Sequence, residues 1–190
     1  LLDSGAIYRA VALVAGERGI SLDDGEALAT LAHELPIAFV MRDGVNRVLL
    51  GERDVSLDIR TPEASSGASR VSAHPPVRAA LLELQRRFAV RGPVVAEGRD
   101  MGTVVFPAAR LKVFLSADPR ERARRRHLEL QERGMDATLE EVLEDQVARD
   151  KQDSEREVAP LKPADDAVKL DSTGMSLEQV VDKIVVLSRG

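Results

Sequence analysis

The apolar positions change period several times along the chain, and each change marks an element. Ile7, Val11 and Val14 recur at helical spacing, with Leu13 close by, and predict an amphipathic helix over 6–18. Leu28, Leu31 and Leu35 predict a second helix over 24–34. The period then falls to two. Apolar runs at 37–41 and 47–50 flank Asp43-Gly44, which predicts a β-hairpin with a turn that favours positive φ, and a short third strand is expected around 54–59. Thr61-Pro62-Glu63 opens the next helix with proline in its first turn, and Pro75-Pro76 ends it. Val77, Leu81, Leu84 and Phe88 trace another helix that ends near Arg91 and Gly92. Short apolar runs at 94–96 and 111–115 read as buried strands, 167–170 as a third strand, and Leu1-Leu2 as the end of a fourth. Asp118-Pro119, Thr138 with Glu141, and Ser176 with Gln179 are start signals for three more helices. These run to Gly134, to about Arg156 and to the end of the chain. Strands alternating with helices imply an α/β fold with a parallel, doubly covered sheet. The local antiparallel stretch inside the helical context reads as an inserted lobe.

Composition narrows the chemistry. The 190 residues suit one domain with a sizeable core. A net charge of -5 and 3% aromatic content argue against nucleic acid as the partner. With no cysteine, disulfides and thiolate metal sites are excluded. No apolar run reaches the ~18 residues that a membrane helix needs. His33, His74 and His127 show no metal-ligand spacing.

Three stretches carry candidate chemistry. The run at 94–96 stops at Glu97-Gly98-Arg99-Asp100, and ligands of open α/β sheets lie outside the carboxyl ends of the strands. A carboxylate, a glycine and an Arg-Asp pair there suit a metal, a close backbone approach and an anionic ligand, or else a salt-bridged surface turn. The helix over 118–133 carries six arginines against four carboxylates, a composition that fits either a solvated face or a phosphate grip. Arg149, Asp153 and Arg156 fall at i, i+4 and i+7, on one face of the helix that opens at Thr138. Leu139, Val142 and Leu143 account for its packing face. The Arg-Asp-Arg face is therefore expected to be exposed and open to a ligand, and alanine there is expected to leave stability unchanged. Guanidinium groups hold phosphate oxygens in pairs of hydrogen bonds, and arginines converging on a cleft suit phosphoryl transfer. Ser4 reads most simply as a helix N-cap and Arg9 as a solvated side chain.

Together the segments LLDSGAIYR, ASRVSAHPPVRAAL, EGRDMGTVVFP, RARRR and RDKQDSEREVAPLKPADDAVKLDST resemble the bacterial cytidylate kinase family. They keep that family's order and spacing over essentially the whole chain. The resemblance implies a parallel-sheet P-loop kinase core covered by helices, a small antiparallel β/α lobe inserted on the acceptor side at 31–70, and an arginine-rich lid at 118–156. The activity implied is transfer of the γ-phosphoryl group of ATP to CMP or dCMP with Mg²⁺, by a cytoplasmic monomer. It implies that Ser4 and Arg9 contact the phosphate side of the acceptor nucleotide. Ser69, Arg78 and Asp100 would read cytosine, the carboxylate accepting from the exocyclic amine. Arg99 would lie on the acceptor phosphate, and Asp153 and Arg156 on sugar and phosphate. Arg149 belongs to the lid, Arg122 and Arg126 to its ATP-facing side, and Arg99, Arg149 and Arg156 would be catalytic. Glu97 would serve the metal shell through water.

The family's G-x-x-x-x-G-K-[ST] loop is not in the chain, which has no Gly-Lys dipeptide and whose first lysine is Lys112. In the family this loop and the strand before it precede the position of Leu1-Leu2. The expectation is a chain lacking its first strand and P-loop, inactive as given, with the absent strand lying between those at 94–96 and 111–115. A non-catalytic nucleotide-binding fragment, or a kinase for another small acceptor, is the alternative.

Overall fold

A computed structural model describes residues 1–90 and 92–190, in two compact units, 1–101 and 102–190. The first opens with a two-residue strand, β1 (Leu2–Asp3), that runs straight into α1 (Ser4–Arg18). Gly19 closes α1 in the left-handed conformation at φ 68°. Asp24 caps α2 (Gly25–Glu34) through the Ala27 N–H. A hairpin follows, β2 (Ile37–Arg42) and β3 (Val45–Leu50), pairing from Ile37 with Leu50 to Arg42 with Val45. Its turn is Asp43-Gly44, both at positive φ as expected. The third strand, β4 (Arg53–Asp54), lies ahead of the expected 54–59, where a 3-10 turn at Asp58–Arg60 stands instead. The Asp54 carboxylate accepts from the Ser56 N–H, which ends the strand there.

Thr61 caps α3 (Pro62–Ser72), and Pro75 begins α4 (Pro75–Val90). The expected end of that helix at Arg91 lies outside the described residues. α1 packs on α3 and α2 on α4, around a core that includes Ile7, Val11, Leu28, Leu31, Ile59, Val71 and Leu81. The strand expected at 94–96 is displaced to β5 (Ala96–Glu97), parallel to β1 in the register Leu2 to Ala96 and Asp3 to Glu97. It is not buried, since Val95 is 72% exposed. Among the described residues β5 is paired on one edge only, by β1.

In the second unit β6 (Val113–Ser116) pairs in parallel with β7 (Val168–Asp171). This run also falls short of full burial, with Leu115 52% exposed. The parallel order is as expected, but it is realised as two separate pairs of strands. Asp118 caps α5 (Pro119–Glu132), and a reciprocal Thr138–Glu141 capping box starts α6 (Leu139–Glu155). These two helices enclose Ala123, Leu130 and Val142. α7 (Leu177–Arg189) opens on the expected Ser176–Gln179 box. Among the described residues, no helix is long and apolar enough to cross a membrane.

The α1–α3 packing gives a direct check. A Cβ on Gly67 would stand 2.9 Å from the Ala12 Cβ, closer than two packed carbons tolerate. Gly67→Ala gains at most about 1 kcal/mol of helix propensity but overpacks a tight contact at about 1–3 kcal/mol. The melting temperature is expected to fall, and an increase would show that the helices separate freely.

Candidate active site

The N-terminal turn is built on Asp3, which takes the capping role expected of Ser4. Asp3 Oδ1 accepts from the Ala6 N–H at 2.8 Å and Oδ2 from Arg9 at 2.9 Å. One carboxylate thus caps α1 and fixes Arg9, which is partly buried and ion-paired rather than solvated. Ser4, one position further on, points inward. It is 3% exposed, and its hydroxyl donates to Gln85 Oε1 at 3.1 Å. The β1–β5 register sets Glu97 beside Asp3. Burial and the neighbouring Asp3 charge raise the Glu97 carboxyl above its ordinary range, with Arg9 and Arg60 opposing, although its side chain still reaches solvent.

The loop after β5 runs close to α1. A Cβ on Gly98 would meet the Ser4 Cβ at 2.9 Å and Met101 Cε at 3.0 Å, so only glycine lets the backbone lie there. The next two residues part company: Arg99 is half-buried, and Asp100 is buried. Asp100 accepts from Arg78 in a short, buried ion pair. A second Arg78 nitrogen donates to the Ser72 carbonyl at 3.2 Å, and the guanidinium carbon stands 5.5 Å from the Tyr8 ring centre. The Ser72 hydroxyl in turn donates to the Ser69 carbonyl at 3.0 Å. Arg78 thus holds Asp100 directly, and Ser72 connects Arg78 to the backbone carbonyl of Ser69. Beyond Asp100 the backbone widens into a π turn at Met101–Val105, a form that concentrates at functional sites.

The second unit carries the remaining candidates. Arg122 pairs with Asp150 at 2.6 Å and Arg126 with Glu129 at 2.7 Å. Arg124 and Arg125 share Glu121, and together they hold its carboxyl down at about 2 from an ordinary 4.5. Arg125 also reaches the Ser172 and Met175 carbonyls, tying α5 to the loop after β7. Arg149 is half-buried on α6.

Here the expectation of an exposed Arg-Asp-Arg face fails. Asp153 is 3% exposed, and Arg156 donates to it at 3.1 Å and to the Ala159 carbonyl at 2.7 Å. The chain folds back over the end of α6, where the Leu161 N–H donates to the Asp153 carbonyl at 2.7 Å. Ala159 adopts φ 52° to make that return, a left-handed conformation rare outside glycine that recurs at functional sites. Helical periodicity reports which residues share a face, and it is blind to a loop that covers that face.

The sequence reading missed Tyr8, Gln85 and the Ser72 carbonyl. Gln85 had a signal, because it continues the apolar stripe of α4 one turn after Leu81 and so sits where a core residue belongs. Among the described residues no cluster of three or more His, Cys, Asp or Glu could hold a metal ion. A magnesium ion needs only one or two carboxylates beside phosphate oxygens and water. Asp3 and Glu97 fit that lesser demand, since a cation would offset both the burial and the Asp3 charge that raise Glu97.

The parallel strand pairs with their flanking helices define an α/β protein. The model of the family described as cytidylate kinase matches residues 1–189. Proteins named cytidylate kinase from Pseudomonas aeruginosa and Citrifermentans bemidjiense are 52% and 54% identical over 187 and 182 residues. Those matches cover 97% and 95% of this chain and 82% and 78% of the relatives. One from Syntrophotalea carbinolica is 50% identical over 97% of this chain and 78% of its own length. The chain belongs to the cytidylate kinase family.

Burial of Asp153 generates a prediction opposite to the one its helix position suggested. Asp153→Ala removes the carboxylate that accepts from Arg156. It is expected to lower stability by about 3 kcal/mol, where the ranges for an orphaned polar group and a broken buried pair meet. Denaturant unfolding measures it, and an unchanged midpoint would show that the pair holds nothing together.

Proposed function

We propose that the protein transfers the γ-phosphoryl group of ATP to CMP or dCMP, giving CDP or dCDP and ADP. Family membership supports the reaction, and the buried Arg78–Asp100 pair is the observation that supports cytosine as the base. A carboxylate only accepts hydrogen bonds and a guanidinium only donates them. Asp100 can therefore take the exocyclic amine of cytosine while Arg78 and Ser69 serve the ring acceptors. Uracil offers a carbonyl where cytosine has its amine, so Asp100 would face an acceptor and repel it.

The remaining roles follow what phosphoryl transfer requires, which is positioning and charge neutralisation rather than covalent chemistry by the protein. Ser4 and Arg9 face the acceptor nucleotide, with Arg99 on its phosphate. Asp153 and Arg156 serve sugar and phosphate. Arg122, Arg126 and Arg149 lie in a lid over 118–156 that faces ATP, and 31–70 forms the acceptor-side lobe. Arg99, Arg149 and Arg156 are the guanidiniums that meet the transferred group. A lid arginine already holding a carboxylate, as Arg122 holds Asp150, can exchange it for a phosphate oxygen at little net cost. Asp3 and Glu97 would hold Mg²⁺ through water, and the bound ion neutralises charge on the phosphate oxygens. We place the enzyme in the cytoplasm, with its ATP, as a monomer.

Phosphoryl transfer by the full-length protein with CMP, UMP and AMP as acceptors tests the reading, and CMP is expected to lead. Asp100→Asn should narrow the CMP-to-UMP preference about tenfold or more, as loss of one such charged hydrogen bond implies. Part of its stability should go too, because Arg78 loses its buried partner. Equal loss toward both nucleotides would assign Asp100 to structure alone.

A further inference from the structure

Loops at the carboxyl ends of parallel strands are where open α/β sheets hold their ligands. In the second unit those ends are Ser116 on β6 and Asp171 on β7, which stand side by side in the pairing. The two loops that leave them are stitched together. The Ser172 N–H and hydroxyl both donate to the Ser116 carbonyl, at 2.7 and 2.9 Å. The Asp118 N–H donates to Thr173 Oγ1 at 2.8 Å, and that hydroxyl donates to the Asp171 carboxylate at 2.7 Å.

Arg125 clamps these loops from the side of α5. Its Nε donates to Glu121 at 2.8 Å and its Nη1 to the Ser172 hydroxyl at 3.1 Å. Its Nη2 donates to the carbonyls of Ser172 at 2.7 Å and Met175 at 3.3 Å. Acceptors from α5 and from the loop after β7 thus converge on one planar fork, a geometry that only a guanidinium supplies. Ser172, where most of these bonds meet, is 3% exposed. Successive helix residues are turned by about 100°, so Arg122 and Arg126 lie about 40° apart around α5, with Arg125 about 60–100° to one side. Holding Arg125 on the β7 loop therefore fixes the rotation of α5, and with it the direction of Arg122 and Arg126.

We infer that Arg125 is a positioning residue for the donor nucleotide, locking the loop after β7 to α5 so that the strand ends and the arginine face of the helix form one wall toward ATP. This rests on the proposed placement of Arg122 and Arg126 at ATP. The Arg125 guanidinium is itself taken up by protein acceptors, so it acts through the wall and not on the ligand.

Calorimetric affinities of the full-length protein for adenylyl imidodiphosphate, a non-hydrolysable ATP analogue, and for CMP test this. Arg125→Lys keeps the charge beside Glu121 but replaces the fork with one ammonium. It is expected to weaken binding of the analogue about two- to tenfold, the usual range for one net hydrogen bond, and to leave CMP affinity unchanged. In steady state the KM for ATP should rise and that for CMP should not. A merely structural arginine would weaken both nucleotides alike or neither, and either result would overturn the inference. Arg122→Ala separates the inference from the placement beneath it. Weaker analogue binding in Arg122→Ala with none in Arg125→Lys overturns the positioning role alone. Wild-type affinity in both variants removes α5 from ATP and takes the positioning role with it. If Arg125→Lys does not fold, amide hydrogen exchange of the wild-type protein still tests the wall. The analogue is expected to slow exchange at Asp118 and Ser172 while CMP does not, and an equal response to both ligands, or to neither, would contradict it.

Discussion

A buried guanidinium needs a buried carboxylate, and in this protein that demand ties the first unit together. Arg78 and Asp100 are both removed from water, where an unpartnered charge would cost several kcal/mol. Meeting the demand fixes α4 against the loop after β5, the Ser72 carbonyl at the end of α3, and the Tyr8 ring one turn into α1. A hydrophobic pair of similar volume would serve stability as well or better. What a hydrophobic pair could not provide is a donor and an acceptor held side by side, and a base with mixed edges needs both.

The second unit follows a different logic. The ion pairs of α5 lie mostly near solvent, where each contributes about 0–1 kcal/mol. Their function is to hold long side chains in place: Glu121 stays ionised at any physiological pH and keeps Arg124 and Arg125 at one spot. Arg125 also reaches backbone carbonyls beyond β7, and so anchors the helix. Asp153 and Arg156 stand apart from that pattern, because the return of the chain through Ala159 covers them.

Much of this was legible in the sequence wherever local chemistry decides. Thr138 with Glu141, Ser176 with Gln179, Thr61 before Pro62, and Asp43-Gly44 each act within four residues, and each sits where its pattern placed it. Ser4 was misread because Asp3 beside it is an equally good cap and also reaches Arg9. Val95 and Leu115 were misread because strand burial depends on neighbouring strands, not on the strand itself. Burial of Asp153 depends on a loop that returns, which no helical period encodes. The proposed cytosine set rests on resemblance, and the structure adds that Ser72 links Arg78 to the Ser69 backbone carbonyl.

The sharpest measurement separates the stabilising role of the buried pair from the recognition role proposed for it. Arg78→Met combined with Asp100→Leu replaces both charges with apolar groups of comparable size, so neither partner is left orphaned. The double variant is expected to melt near the wild-type temperature and to lose its preference for CMP over UMP. A folded double variant that still prefers CMP would contradict the account, because the pair would then support the fold without reading the base.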